Sequence, residues 1–187
     1  MKITYIYHSG FLVESADAYY IFDYYRADFP VTDADKPVYV FVSHRHPDHY
    51  NPYVFEILRE KKVRRMTGVI SYDIKPRNYT SHMEGVEIVA AEPDKEYVLD
   101  NGALVRTLRS TDKGVAYVVT FDDGGVQRSV YHAGDLNDWV WEGEDERVNK
   151  WMTGSYRKYL TPVEGMHFDA VMVPVDSRQG DDMFRGI

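Results

Sequence analysis

The amino-acid sequence predicts an α+β fold in which many short strands accompany two helices. Strand-like runs of roughly four to eight residues, rich in valine, isoleucine and tyrosine, recur along most of the chain. Only the segments that begin at Pro52 and at Arg147 place apolar residues at helical spacing. The 187 residues, 44% of them hydrophobic, are enough to bury a core, and they contain no internal repeat or low-complexity linker. We therefore expect one domain, residues 1–187.

The first half of the chain predicts an antiparallel meander, a buried strand and a helix. The runs KITYIY, FLVES and AYYIF are separated by short turns at Ser9-Gly10 and Ala16-Asp17. The continuous apolar run Val38–Val42 is typical of a buried strand. Asn51 and Pro52 then form an N-cap and a first helical residue, and they predict a helix over YVFEILREKK.

The second half predicts further strands, one helix and a final strand. Asp100-Asn101-Gly102 and Asp122-Asp123-Gly124-Gly125 favour tight hairpins. The predicted helix extends from Arg147 to Leu160. The strand candidates are GVIS, GVEIVA, KEYVL, ALVRTL, GVAYVVTF, RSVYH and, last, DAVMVPV.

The most specific functional pattern is the run His44-Arg45-His46-Pro47-Asp48-His49, which directly follows the buried strand. An extended backbone would point His44 and His46 to the same side, and the turn at Pro47 would bring Asp48 and His49 in from another direction. Imidazole and carboxylate ligands in this number suit two adjacent zinc, iron or manganese ions. The alternative interpretation is a polar loop whose histidines cap the helix.

This HxHxDH run resembles the signature of the metallo-β-lactamase superfamily of metal-dependent hydrolases. Ile21-Phe22-Asp23 and Tyr131-His132-Ala133-Gly134-Asp135 are similar to two further motifs of that superfamily, in the expected order. The opening HSGFLVES is similar to the start of the branch that includes ascorbate-phosphate lactonases. The resemblance implies a four-layered αββα sandwich. Because the superfamily usually continues to a last histidine ligand beyond DAVMVPV, we expect an incomplete C-terminal cover.

The resemblance also implies a ligand set. His44 and His46 are expected to bind one ion, Asp48 and His49 a second, and Asp135 to bridge the two. We expect one or two Zn²⁺ ions, with Mn²⁺ or Fe²⁺ as alternatives. A metal-bound hydroxide would then attack a small ester, lactone, amide or phosphoester, and Asp48 is also expected to take part in catalysis. For Asp135 the alternative role is a carboxylate that caps a turn.

Other polar residues leave alternatives open. Asp23 either accepts a hydrogen bond from a ligand imidazole or is a turn residue, and His132 is expected to be structural. The superfamily's third histidine is missing from Arg109–Gly114, where Asp112 is either a substitute oxygen ligand or, as we prefer, a turn residue. This gap and the missing last histidine support an alternative, a non-catalytic or weakly active binding protein, or a truncated fragment, that keeps the fold without a full metal shell.

Composition limits the partners. The formal net charge of −8 argues against nucleic acid, and no apolar run is long enough to span a membrane. The absence of cysteine makes the cytoplasm the expected location. We therefore expect a small-molecule substrate as the partner, while the sequence gives no oligomeric state. Trp139, Trp141 and Trp151 either pack in the core, which we prefer, or line a substrate pocket.

Overall fold

Two β-sheets face each other in the computed structural model, which describes residues 1–78 and 81–187. The strands of the first sheet lie side by side in sequence order. The first two pairings are antiparallel, as the predicted meander requires, and the other three are parallel. These strands are β1 (Lys2–Tyr7), β2 (Gly10–Glu14), β3 (Tyr19–Phe22), β4 (Val38–Val42), β5 (Met66–Ser71) and β6 (Glu87–Ala91).

The second sheet has the order β11-β10-β9-β8-β7. Antiparallel pairs join β7 to β8 and β9 to β10, so both predicted hairpins are confirmed. The last strand pairs in parallel with β10 and is shorter than the run DAVMVPV, because Pro174 has no N–H to donate to a ladder. The strands are β7 (Glu96–Val98), β8 (Leu104–Arg109), β9 (Val115–Asp122), β10 (Gln127–His132) and β11 (Ala170–Met172).

The main core lies between the two sheets. Tyr20 of the first sheet stacks on Phe121 of the second, with ring centroids 4.6 Å apart. Tyr117 is fully buried and donates a hydrogen bond from its hydroxyl to the carbonyl oxygen of Val42, 2.8 Å away, so its polar atom is satisfied inside the core. Side chains that alternate along the strands thus join the inner faces of both sheets.

One helix packs against the outer face of each sheet. In α1 (Val54–Glu60), Phe55 and Leu58 are buried in the cluster that contains Ile21 and Val40 of the first sheet. In α2 (Glu146–Leu160), Tyr156, Tyr159 and Leu160 are partly buried in the cluster of Leu108, Val118 and Tyr131 from the second sheet. The layers therefore follow the order αββα, and the predicted fold class is confirmed.

The two helices begin close to the residues that the sequence predicts. Asn51 Oδ1 accepts a hydrogen bond from the backbone N–H of Tyr53, although the helical residues start at Val54. Asp145 caps α2 by accepting a hydrogen bond from the backbone N–H of Arg147. Among the described residues, no helix combines the length and the hydropathy that a membrane span requires.

Candidate metal centre

The predicted ligands lie at one edge of the sandwich. The pairings place the carboxyl ends of β1 and β4 at the same end of the first sheet, and those of β8 and β10 at the same end of the second. The loops that follow these four strands carry His8, the run from His44 to His49, Asp112 and Asp135. Residues that are far apart in the sequence therefore meet where the two sheets end.

Two glycines let the loops of the second sheet close over the end of β4. Gly114 has a φ of 70°, and a Cβ atom there would lie 1.9 Å from the carbonyl oxygen of Ser43. Gly134 has a φ of 54°, and its Cβ would lie 2.6 Å from the Cβ of Ser43. Larger residues at either position would push the loop away from Ser43 and from the neighbouring His44.

The first group of ligand atoms belongs to His44, His46, Asp112 and Asp135, and all four lie within 4.8 Å of one another. His44 Nε2 is 3.0 Å from His46 Nδ1 and 3.3 Å from Asp135 Oδ2, while His46 Nδ1 is 3.8 Å from Asp112 Oδ2. Ligands bound to one ion at about 2.1 Å lie about 3.0–3.4 Å apart in octahedral or tetrahedral geometry. The spacing is thus close to that of a coordination shell.

The second group belongs to His8, Asp48 and His49, again with ligand atoms within 4.8 Å of one another. His8 Nε2 lies 3.6 Å from Asp48 Oδ2. His49 is buried, whereas His8 and Asp48 are partly open to solvent. From the resemblance, His8 corresponds to a position near the site, although nothing in its own sequence requires a function; the fold brings the β1–β2 turn to this loop.

Asp135 connects the two groups. Its Oδ2 atom lies 3.3 Å from His44 Nε2, and its Oδ1 atom lies 3.4 Å from His49 Nε2. Burial raises the pKa of this carboxyl to about 6, against the opposing effect of His49. One carboxylate therefore presents an oxygen to each buried imidazole, which is the arrangement expected of a bridging ligand.

Asp23 supports the buried imidazoles on the side of their Nδ1 atoms. Its Oδ2 atom accepts hydrogen bonds from His49 Nδ1 at 2.7 Å and from Ser43 Oγ at 2.6 Å, and its Oδ1 atom accepts one from the Ser43 backbone N–H at 2.7 Å. Although burial alone raises the pKa of Asp23, its electrostatic interaction with His132 and the hydrogen bond from His49 lower it to about 2. Of the two roles considered for Asp23, the structure shows the hydrogen bond to an imidazole.

The same hydrogen bonds fix which nitrogen of each imidazole faces the centre. His44 Nδ1 lies 3.0 Å from Ser43 Oγ, so a proton on Nδ1 leaves Nε2 free toward Asp135. Burial and the neighbouring His49 lower the pKa of His44 to about 3. For His49, burial alone lowers the pKa, but the hydrogen bond to Asp23 and the charges of Asp23, Asp135 and Asp48 together raise it to about 9. Each ring thus keeps its Nε2 directed at Asp135.

His132 is structural, as predicted. It is buried, its Nε2–H donates to the carbonyl oxygen of Ser9 at 3.0 Å, and its Nδ1 accepts from the backbone N–H of Gly134 at 3.2 Å. Burial lowers its pKa. The ring therefore ties the end of β10 to the β1–β2 turn beside the candidate centre.

Comparison with known proteins assigns the family. The sequence profile of the Beta-lactamase superfamily domain matches residues 2–149. The chain belongs to the β-lactamase superfamily. A search among curated proteins gives no significant match. The narrower resemblance to the ascorbate-phosphate lactonase branch stays a prediction.

Several solved structures resemble this chain at low sequence identity. The metallo-β-lactamase SMB-1 is 14% identical, with 95% of this chain and 79% of that chain covered and a TM-score of 0.51. BJP-1, a subclass B3 metallo-β-lactamase of Bradyrhizobium japonicum, is 16% identical, with 88% and 70% covered and a TM-score of 0.43. CmlA, a diiron β-hydroxylase from Streptomyces venezuelae, is 15% identical, with 73% and 30% covered and a TM-score of 0.47. The present chain thus spans under a third of the length of CmlA. Because the sequence identity to SMB-1 is low, that likeness supports a shared fold and nothing further.

A cavity opens beside the candidate metal centre of this superfamily member. Its volume is about 700 Å³, and its lining includes His8, Asp48, Asp135 and Trp139. Trp139 also stacks on Trp141 at a centroid distance of 6.0 Å, and both indoles line a second, adjoining depression. A cavity of this size accommodates a small organic molecule.

The preferred expectation that the tryptophans pack in the core is wrong. Trp139 and Trp141 are only half-buried, because the chain leaves the second sheet after His132 and forms a loop beside the cavity and the adjoining depression. Trp151 is 62% exposed on α2. The same helix leaves Val148 exposed and only partly buries Met152 and Tyr156. The apolar spacing of this segment therefore predicts its helical structure but not the burial of its residues.

The residues present fit divalent ions. The two groups together offer four imidazoles and three carboxylates, and they contain no thiolate. Such nitrogen and oxygen donors are the usual ligands of zinc, manganese and iron. Asp23 and Ser43 form hydrogen bonds with the Nδ1 atoms of His49 and His44, and metal-binding imidazoles normally have such partners on the nitrogen that faces away from the ion.

Proposed function

We propose that this chain is a metal-dependent hydrolase that acts on a small ester, lactone, amide or phosphoester. His44 and His46 would hold one divalent ion, Asp48 and His49 would hold a second, and Asp135 would be shared between them. The observation that carries the proposal is the position of Asp135, whose two carboxylate oxygens face His44 Nε2 at 3.3 Å and His49 Nε2 at 3.4 Å. A purely structural role for Asp135 would not require a buried imidazole next to each of its two carboxylate oxygens.

The chemistry of the centre supports hydrolysis. A pair of bound divalent ions supplies Lewis acidity toward a carbonyl or phosphoryl oxygen and lowers the pKa of water. The chain's own residues then have three tasks. Asp23 and Ser43 keep the ligand imidazoles oriented, Asp48 presents a partly exposed carboxylate that accepts a hydrogen bond from a reacting water, and Trp139 forms an apolar wall for the substrate.

The substrate class follows from the cavity and the charge. A volume of about 700 Å³ suits a small molecule, and the formal charge of −8 disfavours a polyanion such as nucleic acid. Zinc is the first candidate for the metal, with manganese and iron as alternatives. A small-molecule partner and a cytoplasmic location remain predictions from the sequence.

The first experiment is to measure metal content and hydrolysis on the same samples. Protein purified without chelators is analysed by elemental mass spectrometry and assayed with ester, lactone, amide and phosphodiester substrates, beside the variants His46→Ala and His82→Ala. His82 is the matched control, since its Nδ1 atom lies 3.7 Å from Glu56 Oε2, away from the centre. We expect one or two equivalents of metal and hydrolysis of at least one substrate class, both lost in His46→Ala only.

Two other results would change the conclusion. Metal that is bound in the wild type without hydrolysis of any class would favour the non-catalytic binding protein. Wild-type protein that binds no metal, even after incubation with zinc, manganese and iron, would contradict the proposal as a whole.

A further inference from the structure

Two side chains outside this proposed ligand set also face the candidate centre. We propose that His8 and Asp112 are metal ligands, so that each ion is held by two imidazoles and two carboxylates, with Asp135 shared. The first half-site then consists of His44, His46, Asp112 and Asp135, and the second of His8, Asp48, His49 and Asp135. The inference rests on the proposed function, because it requires the two ions.

Asp112 enters the first half-site from the loop between β8 and β9. Its Oδ2 atom lies 3.8 Å from His46 Nδ1 and within 4.8 Å of the ligand atoms of His44 and Asp135. The loop is held in place by neighbouring hydrogen bonds. Asp112 donates its backbone N–H to Ser110 Oγ at 3.2 Å, and Thr111 Oγ1 donates to the carbonyl oxygen of Asn137 at 2.7 Å. The carboxylate is therefore presented by an anchored backbone.

A turn-capping role, which we preferred from the sequence, does not account for this carboxylate. Turn-capping aspartates of this chain accept hydrogen bonds from backbone N–H groups two residues later, as Asp33 does at 3.0 Å and Asp176 at 2.9 Å. Throughout the described ranges 1–78 and 81–187, no backbone N–H donates to the carboxylate of Asp112, and its ion-pair contact is with His46. The side chain is directed at the other candidate ligands and not at its own turn.

His8 enters the second half-site from the turn between β1 and β2. Its Nε2 atom lies 3.6 Å from Asp48 Oδ2, and its ring meets the ring of His49 edge-on at a centroid distance of 5.7 Å. Its Nδ1 atom lies 3.1 Å from Ser9 Oγ. A proton on Nδ1, donated to that hydroxyl, leaves the lone pair of Nε2 directed toward Asp48.

The backbone at His8 supports a specific role for the imidazole. Its φ of 55° lies in the left-handed region, which a glycine adopts more easily than a histidine. The turn is nevertheless fixed, because His132 donates a hydrogen bond to the carbonyl oxygen of Ser9 at 3.0 Å. Backbone strain of this kind is commonly found where a side chain has a function.

The composition of the half-sites has a consequence for the metal. Asp112 supplies a hard oxygen where the resemblance implies a third histidine, so the first half-site has fewer nitrogen donors. Carboxylate ligands favour manganese and iron relative to zinc more than imidazoles do. We therefore expect the first half-site to accept Mn²⁺ more readily than a site with three imidazoles would.

The test is a metal titration of the full chain in five forms. Metal-free wild type, His8→Gln, Asp112→Asn, Asp112→His and the control Asp94→Asn are titrated with Zn²⁺ and with Mn²⁺ by calorimetry, and Co²⁺ absorption spectra are recorded. Asp94 is a suitable control, since its half-exposed carboxylate pairs with Arg109 instead of the cluster. Circular dichroism of the metal-free variants checks that each one is folded.

We expect His8→Gln and Asp112→Asn each to bind one equivalent of metal fewer than the wild type, or to bind one of the two ions with an affinity that is roughly tenfold or more lower. The two variants should alter different components of the Co²⁺ spectrum, while Asp94→Asn matches the wild type. Asp112→His should restore two equivalents and shift the preference from Mn²⁺ to Zn²⁺.

Wild-type stoichiometry and affinity in both His8→Gln and Asp112→Asn would overturn this inference and leave the proposed function intact. A wild type that binds no ion at all would overturn both. The titration thus separates a wrong ligand assignment from a wrong function.

Discussion

Replacing Gly114 by alanine tests whether the close packing of the β8–β9 loop on Ser43 holds the metal centre together. The left-handed φ of 70° costs an alanine about 1–2 kcal/mol. The new Cβ would lie 1.9 Å from the carbonyl oxygen of Ser43 and 2.7 Å from the Cβ of His44, and relief of such overlap typically costs a further 1–3 kcal/mol or so. We therefore expect the free energy of unfolding to fall by about 2–5 kcal/mol.

Gly165→Ala provides the matched control. Its φ is 74°, but a Cβ there meets no atom within 4 Å, so only the backbone cost of about 1–2 kcal/mol applies. Urea unfolding of both variants measures the difference, and at about 2–4 °C per kcal/mol calorimetry should show Gly114→Ala melting roughly 4–20 °C below the wild type. Equal unfolding midpoints for the two variants would refute the reasoning, because the contact with Ser43 would then cost nothing.

Three further predictions concern buried hydrogen bonds, metal removal and pH. Asp23→Asn places an amide against the Nδ1–H of His49, so it should lower the free energy of unfolding by about 3–5 kcal/mol and weaken metal binding about 10–100-fold. The control Asp33→Asn should change neither quantity. An unchanged metal titration in Asp23→Asn would contradict the positioning role of Asp23. Chelation should lower the melting temperature, since a ligand at 100 times its Kd contributes about 2.7 kcal/mol, and identical calorimetric scans would argue against binding. The hydrogen bond from the Ser129 backbone N–H lowers the pKa of Asp169. The ionised carboxylate therefore stabilises the fold fully above the usual pKa range of aspartate, and this stabilisation declines as the pH falls through the lowered pKa. The urea midpoint of Asp169→Asn should depend less on pH at the acidic end, and the same acid dependence as the wild type would count against this assignment.

Most of the fold could be predicted because its elements are local patterns. The apolar run Val38–Val42 is β4 without a change of boundary, and the turns with Asp and Gly residues mark both hairpins. Pattern alone did not order the strands into two sheets. The αββα layering came from the resemblance, since the pairing of β10 with β11, for example, joins segments separated by a whole helix.

The candidate site was predictable only in part, for a physical reason. His44, His46, Asp48 and His49 lie in one short run, so their chemistry is visible in the sequence. For His8 and Asp112 only the resemblance suggested a place near the site, because the approach of their turns to that run depends on how the two sheets pack. The tryptophans were misjudged because large aromatic side chains are usual in cores, whereas here a loop places Trp139 and Trp141 along a surface depression beside the cavity.

The candidate centre lies across the boundary between the two sheets. The ligands up to His49 follow strands of the first sheet, while Asp112 and Asp135 follow strands of the second. Ions shared between them would act as a long-range cross-link in a chain that has no cysteine and hence no disulfide. Any slide of one sheet against the other would change the distances from His44 and His46 to Asp112 and Asp135, so the packing of the core also sets the geometry of the candidate metal centre.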